Sequence, residues 1–222
     1  MDQYHKNSKK KMLNAEVCLY GAGGHAKVVI DVLKSTNKKI IGLIDDNVSN
    51  SSLWGYPIYR SIKDLRSTID YSLIISIGNN QVRKRIAENL TGLFFINAAH
   101  ISAALSDSCI VKEGTVIMPN VSVNADAKIG RHVILNTNSS IDHDCIIEDF
   151  VHLSPNVALS GKVYVGEGTH IGTGASVIPE VKIGRWTTIG AGTVIIRDIP
   201  DYAIVVGNPG KIINFSKPNT SQ

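Results

Sequence analysis

Residues 129–165 read IGRHVILNTNSSIDHDCIIEDFVHLSPNVALSGKVYV, with an aliphatic side chain at every sixth position: Ile129, Leu135, Ile141, Ile147, Leu153, Leu159 and Val165. The series continues outward without a break, through Val123, Ile117 and Val111 to Leu105 on one side and through Ile171, Val177, Ile183 and Ile189 to Ile195 on the other. Two positions before each of these stands a residue that is usually small or β-branched, as at Thr115, Ala127, Ser139, Cys145, Val157 and Thr169. A period of six suits neither an α-helix nor a flat amphipathic strand, but it suits a prism whose faces are short strands that turn a corner. The pattern predicts a parallel β-helix with about eighteen residues per coil, about five coils and a coil spacing of about 4.8 Å. Every hexad position is expected to point inward, and residues eighteen apart share one column.

The column map carries chemistry as well as shape. Cys109 and Cys145 fall in one inward column two coils apart, roughly 9 to 10 Å, too far for a disulfide, and read as small core residues. Asn120, Asn138 and Asn156 stack as an amide ladder along the coil axis, a structural feature. Eighteen residues after His143 lies Gly161, so an outward imidazole at 143 has open space on the next coil. His132 reads as a surface histidine.

The remaining composition is that of an ordinary globular chain: 222 residues, 43% apolar, 19% charged, formal net charge +4. Part of that charge sits in Lys6, Lys9, Lys10 and Lys11, which read as a disordered tail rather than a nucleic-acid arm, since no aromatic or further basic cluster accompanies them. No signal-peptide core and no apolar run of membrane-spanning length is present. Three cysteines agree with a reducing compartment, and the expected location is cytoplasmic.

Before the hexads the pattern alternates. Glu16 to Tyr20 reads as a strand ending in Gly21-Ala22-Gly23-Gly24-His25, Ala26 to Ser35 as a helix, and Ile40 to Ile44 as a second strand ending in Asp45-Asp46. This βαβ unit places a glycine turn at a helix N-terminus, where free N–H groups favour phosphate, and carboxylates about twenty residues on, where they accept from ribose or base. Trp54 to Tyr59 reads as an irregular edge, Ser61 to Thr68 as a short helix, and Tyr71 to Ile77 as a buried strand leading to Gly78-Asn79-Asn80. A helix over Gln81 to Leu90 follows, with Arg83, Lys84 and Arg85 as a solvated face, then a last strand over Leu93 to Ile96. Gly78 is delivered to the same crevice as Gly23 and Asp45. The expected organisation is a basic tail (1–15), an α/β half-Rossmann nucleotide-sugar domain (16–98), a β-helix (99–215) and a polar tail (216–222). Such a domain is too short for two nucleotide-binding halves, which argues against a dehydrogenase.

The ordered set of Tyr20-Gly-Ala-Gly-Gly-His25, Asp45-Asp46, Ile77-Gly-Asn-Asn80, Asn136-Thr137 and Ile141-Asp-His-Asp-Cys145 closely resembles the bacterial sugar acetyltransferases of the NeuD/PglD type. That resemblance, over about Val17 to Ile212, implies a left-handed β-helix, a homotrimer, acetyl-CoA as co-substrate and no metal. It implies transfer to the amino group of a nucleotide-linked sugar, in motif most similar to UDP-4-amino-4,6-dideoxy sugars, for glycan biosynthesis. It also implies roles. His143 would be the general base, tuned by Asp144. Gly23, Gly24, His25, Asp45, Asp46 and Gly78 would hold the nucleotide sugar, and His152, Gly161, Thr173 and Ala191 would contact acetyl-CoA. Asp144 stands where the best-known members carry Glu, which predicts a shorter reach toward the ring. The alternatives are a sugar O-acetyltransferase, a zinc hydratase using the His152 and His170 column, and a non-catalytic sugar-nucleotide sensor.

Overall fold

The computed structural model describes residues 16–47, 49–65 and 71–216. The expected basic tail, the later part of the Ser61–Thr68 helix and the C-terminal tail beyond Ser216 lie outside these residues. Ser61 does cap a short 3-10 turn, Ile62–Asp64.

Strand β1, Glu16–Tyr20, is an inner strand of the N-terminal sheet, and its Val17, Cys18 and Leu19 have no solvent exposure. It lies between β2, Ile40–Ile44, and β5, Tyr71–Ile75, both parallel to it. The helix Gly24–Ser35 covers one face through Ala26, Val29, Ile30 and Leu33, which recur at helical spacing and are buried. Trp54 to Tyr59 is more regular than its sequence suggests: β3, Ser52–Leu53, and β4, Tyr56–Tyr59, form a hairpin, and β4 also pairs in parallel with β2. Pro57 fits there because the neighbouring Ile58 N–H supplies the bond, donating to the Ser51 carbonyl at 2.9 Å. Leu93 to Ile96, expected as a strand, makes only a single bridge, Phe95 beside Leu73. The second helix, Asn80–Asn89, is capped by Asn79, whose Oδ1 accepts from the Val82 N–H at 3.0 Å.

The hexads form three parallel sheets whose partners are eighteen residues apart, for example Val123 beside Ile141 and Leu135 beside Leu153. The first face runs from Ala98–Ala99 through Ile134–Leu135, His152–Leu153 and His170–Ile171 to Ala203–Val206. The second contains Ser140–Ile141 and Ala158–Leu159, and the third Ile146–Ile147 and Tyr164–Val165. The three faces carry seven, six and five parallel strands, one coil more than the hexad run alone predicts. The extra strands, Ala98–Ala99 and Ala203–Val206, pair into the ladder outside the unbroken series. From Ile117 to Ile195 each hexad residue is at most 2% exposed. Leu105 is the correction, 39% exposed, and Val111 is half-buried, because few coils cover the first end of the prism.

The amide ladder has a backbone cause. Asn120, Asn138 and Asn156 occupy corners at φ 59°, 59° and 58°, the left-handed region that asparagine tolerates. Asn138 Nδ2 donates to Asn156 Oδ1 at 3.2 Å, while the Asn120 N–H is taken by Ser102 Oγ at 3.0 Å.

The two halves share a core. Val116, Met118 and Ile134, outside the prism on its first face, belong to the same buried cluster as Val17, Leu19, Val29 and Ile30. The N-terminal domain therefore sits on the first face and fixes which residues of that face are sequestered.

Candidate active site

The corner between the second and third faces carries Asp142, His143, Asp144 and Cys145. Asp144 adopts φ 59°, which turns its side chain back along the corner, and its Oδ2 lies 2.8 Å from His143 Nδ1. The shorter carboxylate thus does reach the ring. Asp142 Oδ1 accepts from the His143 N–H at 2.8 Å and from Asn124 Nδ2 at 2.9 Å, fixing the backbone under the imidazole. With Nδ1–H directed at Asp144, the lone pair is on Nε2. A Cβ built on Gly161 would lie 2.6 Å from that Nε2, so only glycine leaves the ring its place. The imidazole is half-exposed, and its pKa is raised from the ordinary value, first by the hydrogen bond to Asp144 and then by the charges of Asp142 and Asp144, against desolvation and Lys162. Beside it lies an open groove of about 540 Å³ lined by Leu105, Ser106, Val123, Asn124, Asp142 and His143.

A crevice forms where the chain leaves β1 to one side for β2 and returns on the other as β5, the switch point at which α/β sheets bind ligands. Gly21 has φ 109°, and a Cβ there would meet Ile77 Cγ1 at 2.6 Å, so this glycine serves the close packing of the two loops. Gly23, Gly24 and Gly78 differ: no atom lies within 4 Å of the Cβ position of any of them. Packing does not demand these glycines, and the open space they leave is where a phosphate chain has room. Asp45 Oδ2 accepts from the Ala22 N–H at 2.8 Å and Oδ1 from the Asn47 N–H at 3.0 Å, so this carboxylate braces the turn. Asp46 Oδ1 accepts from Asn47 Nδ2 at 2.8 Å.

The seam between the domains holds a row of histidines. The His25 ring is 6.4 Å from that of His152, which stacks on His170 at 4.9 Å. His152 Nε2 lies 3.3 Å from Asn136 Nδ2, and His170 Nε2 lies 2.8 Å from Ser154 Oγ. His25 Nε2 is buried without a partner among the described residues. Burial first, and the Arg83 charge with it, lowers the pKa of His25 to about 4 and that of His170 in the same direction. His152 is lowered to about 3 by burial, then by His170, Arg83 and His25. Among the described residues no three His, Cys, Asp or Glu side chains are grouped to hold a metal ion.

Two residues read as solvated are buried. Arg83 is 1% exposed and points into the seam rather than to water. His132 is 4% exposed, stacked 5.4 Å from Phe150 and edge-on to Phe95 at 4.7 Å, with its pKa lowered to about 4, chiefly by burial. Lys84 pairs with Glu167 of the β-helix and, at 3.4 Å, with Glu88.

The structure brings the expected residues together in three groups. His143, Asp144 and Gly161 form the first. Gly23, Gly24, His25, Asp45, Asp46 and Gly78 form the crevice, and His152 joins them rather than Gly161. Thr173 and Ala191 are one coil apart at the corner between the first and second faces, where the Gly192 N–H donates to the Thr173 carbonyl at 2.8 Å. The sequence reading assigned no role to Asn136 or Ser154. Their signal is a repeated spacing of sixteen, Asn136 to His152 and Ser154 to His170.

Residues 16–90 match the PglD N-terminal domain, and residues 162–197 match the bacterial transferase hexapeptide (six repeats). A histidine-to-asparagine mutant of perosamine N-acetyltransferase from Caulobacter crescentus, in complex with CoA and GDP-perosamine, superimposes with a TM-score of 0.85 at 38% identity, covering 90% of this chain and 97% of that one. The acetyltransferase domain of PglB from Neisseria gonorrhoeae, in complex with acetyl coenzyme A, does so with a TM-score of 0.85 at 36% identity, covering 90% and 100%. UDP-N-acetylbacillosamine N-acetyltransferase of Bacillus subtilis is 43% identical over 110 residues, 46% of this chain and 50% of that protein. GDP-perosamine N-acetyltransferase of Escherichia coli O157:H7 is 27% identical over 122 residues, 51% and 55%. The chain thus spans about half the length of these curated relatives, whereas the solved structures are matched almost end to end. With its nucleotide domain, its hexapeptide prism and 38% identity across nearly all of a perosamine N-acetyltransferase, the chain belongs to the PglD-type family of nucleotide-sugar N-acetyltransferases.

Proposed function

We propose that this protein transfers acetyl from acetyl-CoA to the 4-amino group of a nucleotide-linked 4-amino-4,6-dideoxy sugar, with His143 as general base. The observation that carries the reading is the free Nε2 of a carboxylate-paired imidazole held over Gly161. An amine attacking a thioester gains a C–N bond and must lose a proton as the tetrahedral intermediate forms. His143 Nε2 takes that proton, Asp144 stabilises the imidazolium, and collapse breaks the C–S bond, the imidazolium returning the proton to the departing CoA sulfur. Attack is direct, because the buried Cys145 Sγ donates to the Ser160 carbonyl at 3.2 Å and burial raises its pKa.

The prism places His143 opposite the first face, on which the nucleotide domain is packed. One chain cannot present a sugar held at Gly23, Asp45 and Gly78 to its own His143. The reading includes the homotrimer that the family resemblance implies, in which the crevice of one copy would face the His143 corner of the next and acetyl-CoA would lie in the groove between them. The Thr173 and Ala191 corner of one copy and the Gly161 corner of another would then line a single groove.

UDP-linked substrate is the first expectation, and the GDP-perosamine in the Caulobacter complex makes GDP the second. Thiol release from acetyl-CoA, measured with a UDP-4-amino-4,6-dideoxy sugar, with GDP-perosamine and with their 4-hydroxy analogues, tests both. One of the amino sugars should give stoichiometric thiol and N-acetyl product. Equal turnover of a hydroxy analogue would turn the reading to O-acetylation, and no release with either amine would overturn it.

A further inference from the structure

Arg83 is buried with no carboxylate beside it among the described residues. Its guanidinium is instead ringed by six oxygens drawn from both domains, of which the Val151 carbonyl is the most distant, 3.5 Å from Nη2. Nε donates to the His132 carbonyl at 2.8 Å and Nη2 to the Phe150 carbonyl at 2.8 Å, two corners of the β-helix one coil apart. Nη1 donates to the carbonyls of Ile77 and Gly78, both at 3.1 Å, and Nη2 also reaches Asn80 Oδ1 at 2.9 Å. Asn80 in turn donates through Nδ2 to the Gly168 carbonyl at 2.9 Å. An unpaired buried cation is costly, and a methionine would fill the same space without that penalty. What arginine adds is a planar fork that fixes several acceptors at set angles.

We propose that Arg83 is a positioning residue for acetyl transfer: it locks the Ile77–Gly78 wall of the nucleotide crevice to the His132–Phe150 corners of the β-helix, and so sets the distance and angle at which the sugar amine meets the acetyl group. The inference rests on the function proposed above. Hinge-like slack at this point would leave each ligand bound but misaligned, and misplacement by about 1 Å can cost about a hundredfold in rate.

Arg83→Lys keeps a cation and loses the fork. With acetyl-CoA and whichever of the UDP- and GDP-linked 4-amino sugars the natural protein acetylates, kcat should fall about tenfold or more. KM for both substrates and the affinity for CoA should stay near their original values. Hydrogen exchange at residues 77–80 should quicken in the same variant, a readout that needs no turnover. An unchanged kcat, or a loss of rate no greater than the loss of folded protein, would overturn the proposal. Should Arg83→Lys not fold, Asn80→Ala removes one acceptor and the tie to Gly168. It should show the same split between kcat and KM at smaller size, and a wild-type kcat there would overturn the proposal equally. Absence of transfer by the natural protein would instead refute the function and leave the exchange result to judge the tie.

Discussion

His143 and the histidines of the seam carry one side chain in two opposite settings. At its corner His143 is half-exposed and paired with a carboxylate, so its basicity is raised, and its free nitrogen lies over Gly161. At the seam His132 is buried and His25, His152 and His170 are half-buried, and desolvation with the nearby Arg83 charge lowers the pKa of each, which favours the neutral ring. The first setting suits a group that takes up a proton, and the second suits rings used for shape, stacking and fixed hydrogen bonds. On the proposed function, reaction chemistry is separated from the surface that joins the domains.

The most direct way to break this contrast is His143→Ala. Turnover should fall by about two orders of magnitude or more while CoA binding, followed by calorimetry, is retained; turnover near the original value would remove His143 from the mechanism. A smaller change sharpens it. Asp144→Asn keeps an acceptor beside Nδ1 but removes the charge that raises the His143 pKa. The base acts only when neutral, so kcat/KM rises with pH through that pKa, and the acidic limb should move to lower pH in the variant. A limb that stays in place would deny Asp144 its role.

The smallest effect concerns the seam. The unfolded chain protonates its histidines near pH 6.5, whereas folded His25 and His132 wait until about pH 4 and His152 until about pH 3. Between those values the unfolded state binds more protons, so the stability is complete above about pH 6.5 and is lost as the pH falls toward 4. Melting temperature at pH 7 and pH 5 should therefore differ by a few degrees. A flat profile over that range would show that the seam histidines are already charged in the folded protein.

The prism was legible because side-chain direction repeats every six residues, and a period survives any uncertainty about contacts. The gap above His143 was legible for the same reason, since column neighbours follow from counting. The seam was not legible. Arg83 bonds to carbonyls of residues 49 and 67 positions away, across an interface with no shared period. Within Arg83-Lys84-Arg85 only Arg83 shares a helical face with Ile86, Ala87 and Leu90, which pack on the sheet, but that spacing says nothing of the distant carbonyls that receive it. His132 was misread for a related reason: its corner faces outward from the prism, and it is the docked domain, through Phe95, that closes over a ring already stacked on Phe150.

The common core of Val116, Met118 and Ile134 with the sheet of β1 limits how such chains can be recombined. A nucleotide domain transplanted at residue 97 onto a foreign hexapeptide prism would land on whatever outward residues that prism happens to carry. Unless those three positions and the carbonyl pair that receives Arg83 travel with the graft, acceptor specificity cannot be exchanged as a detachable cassette.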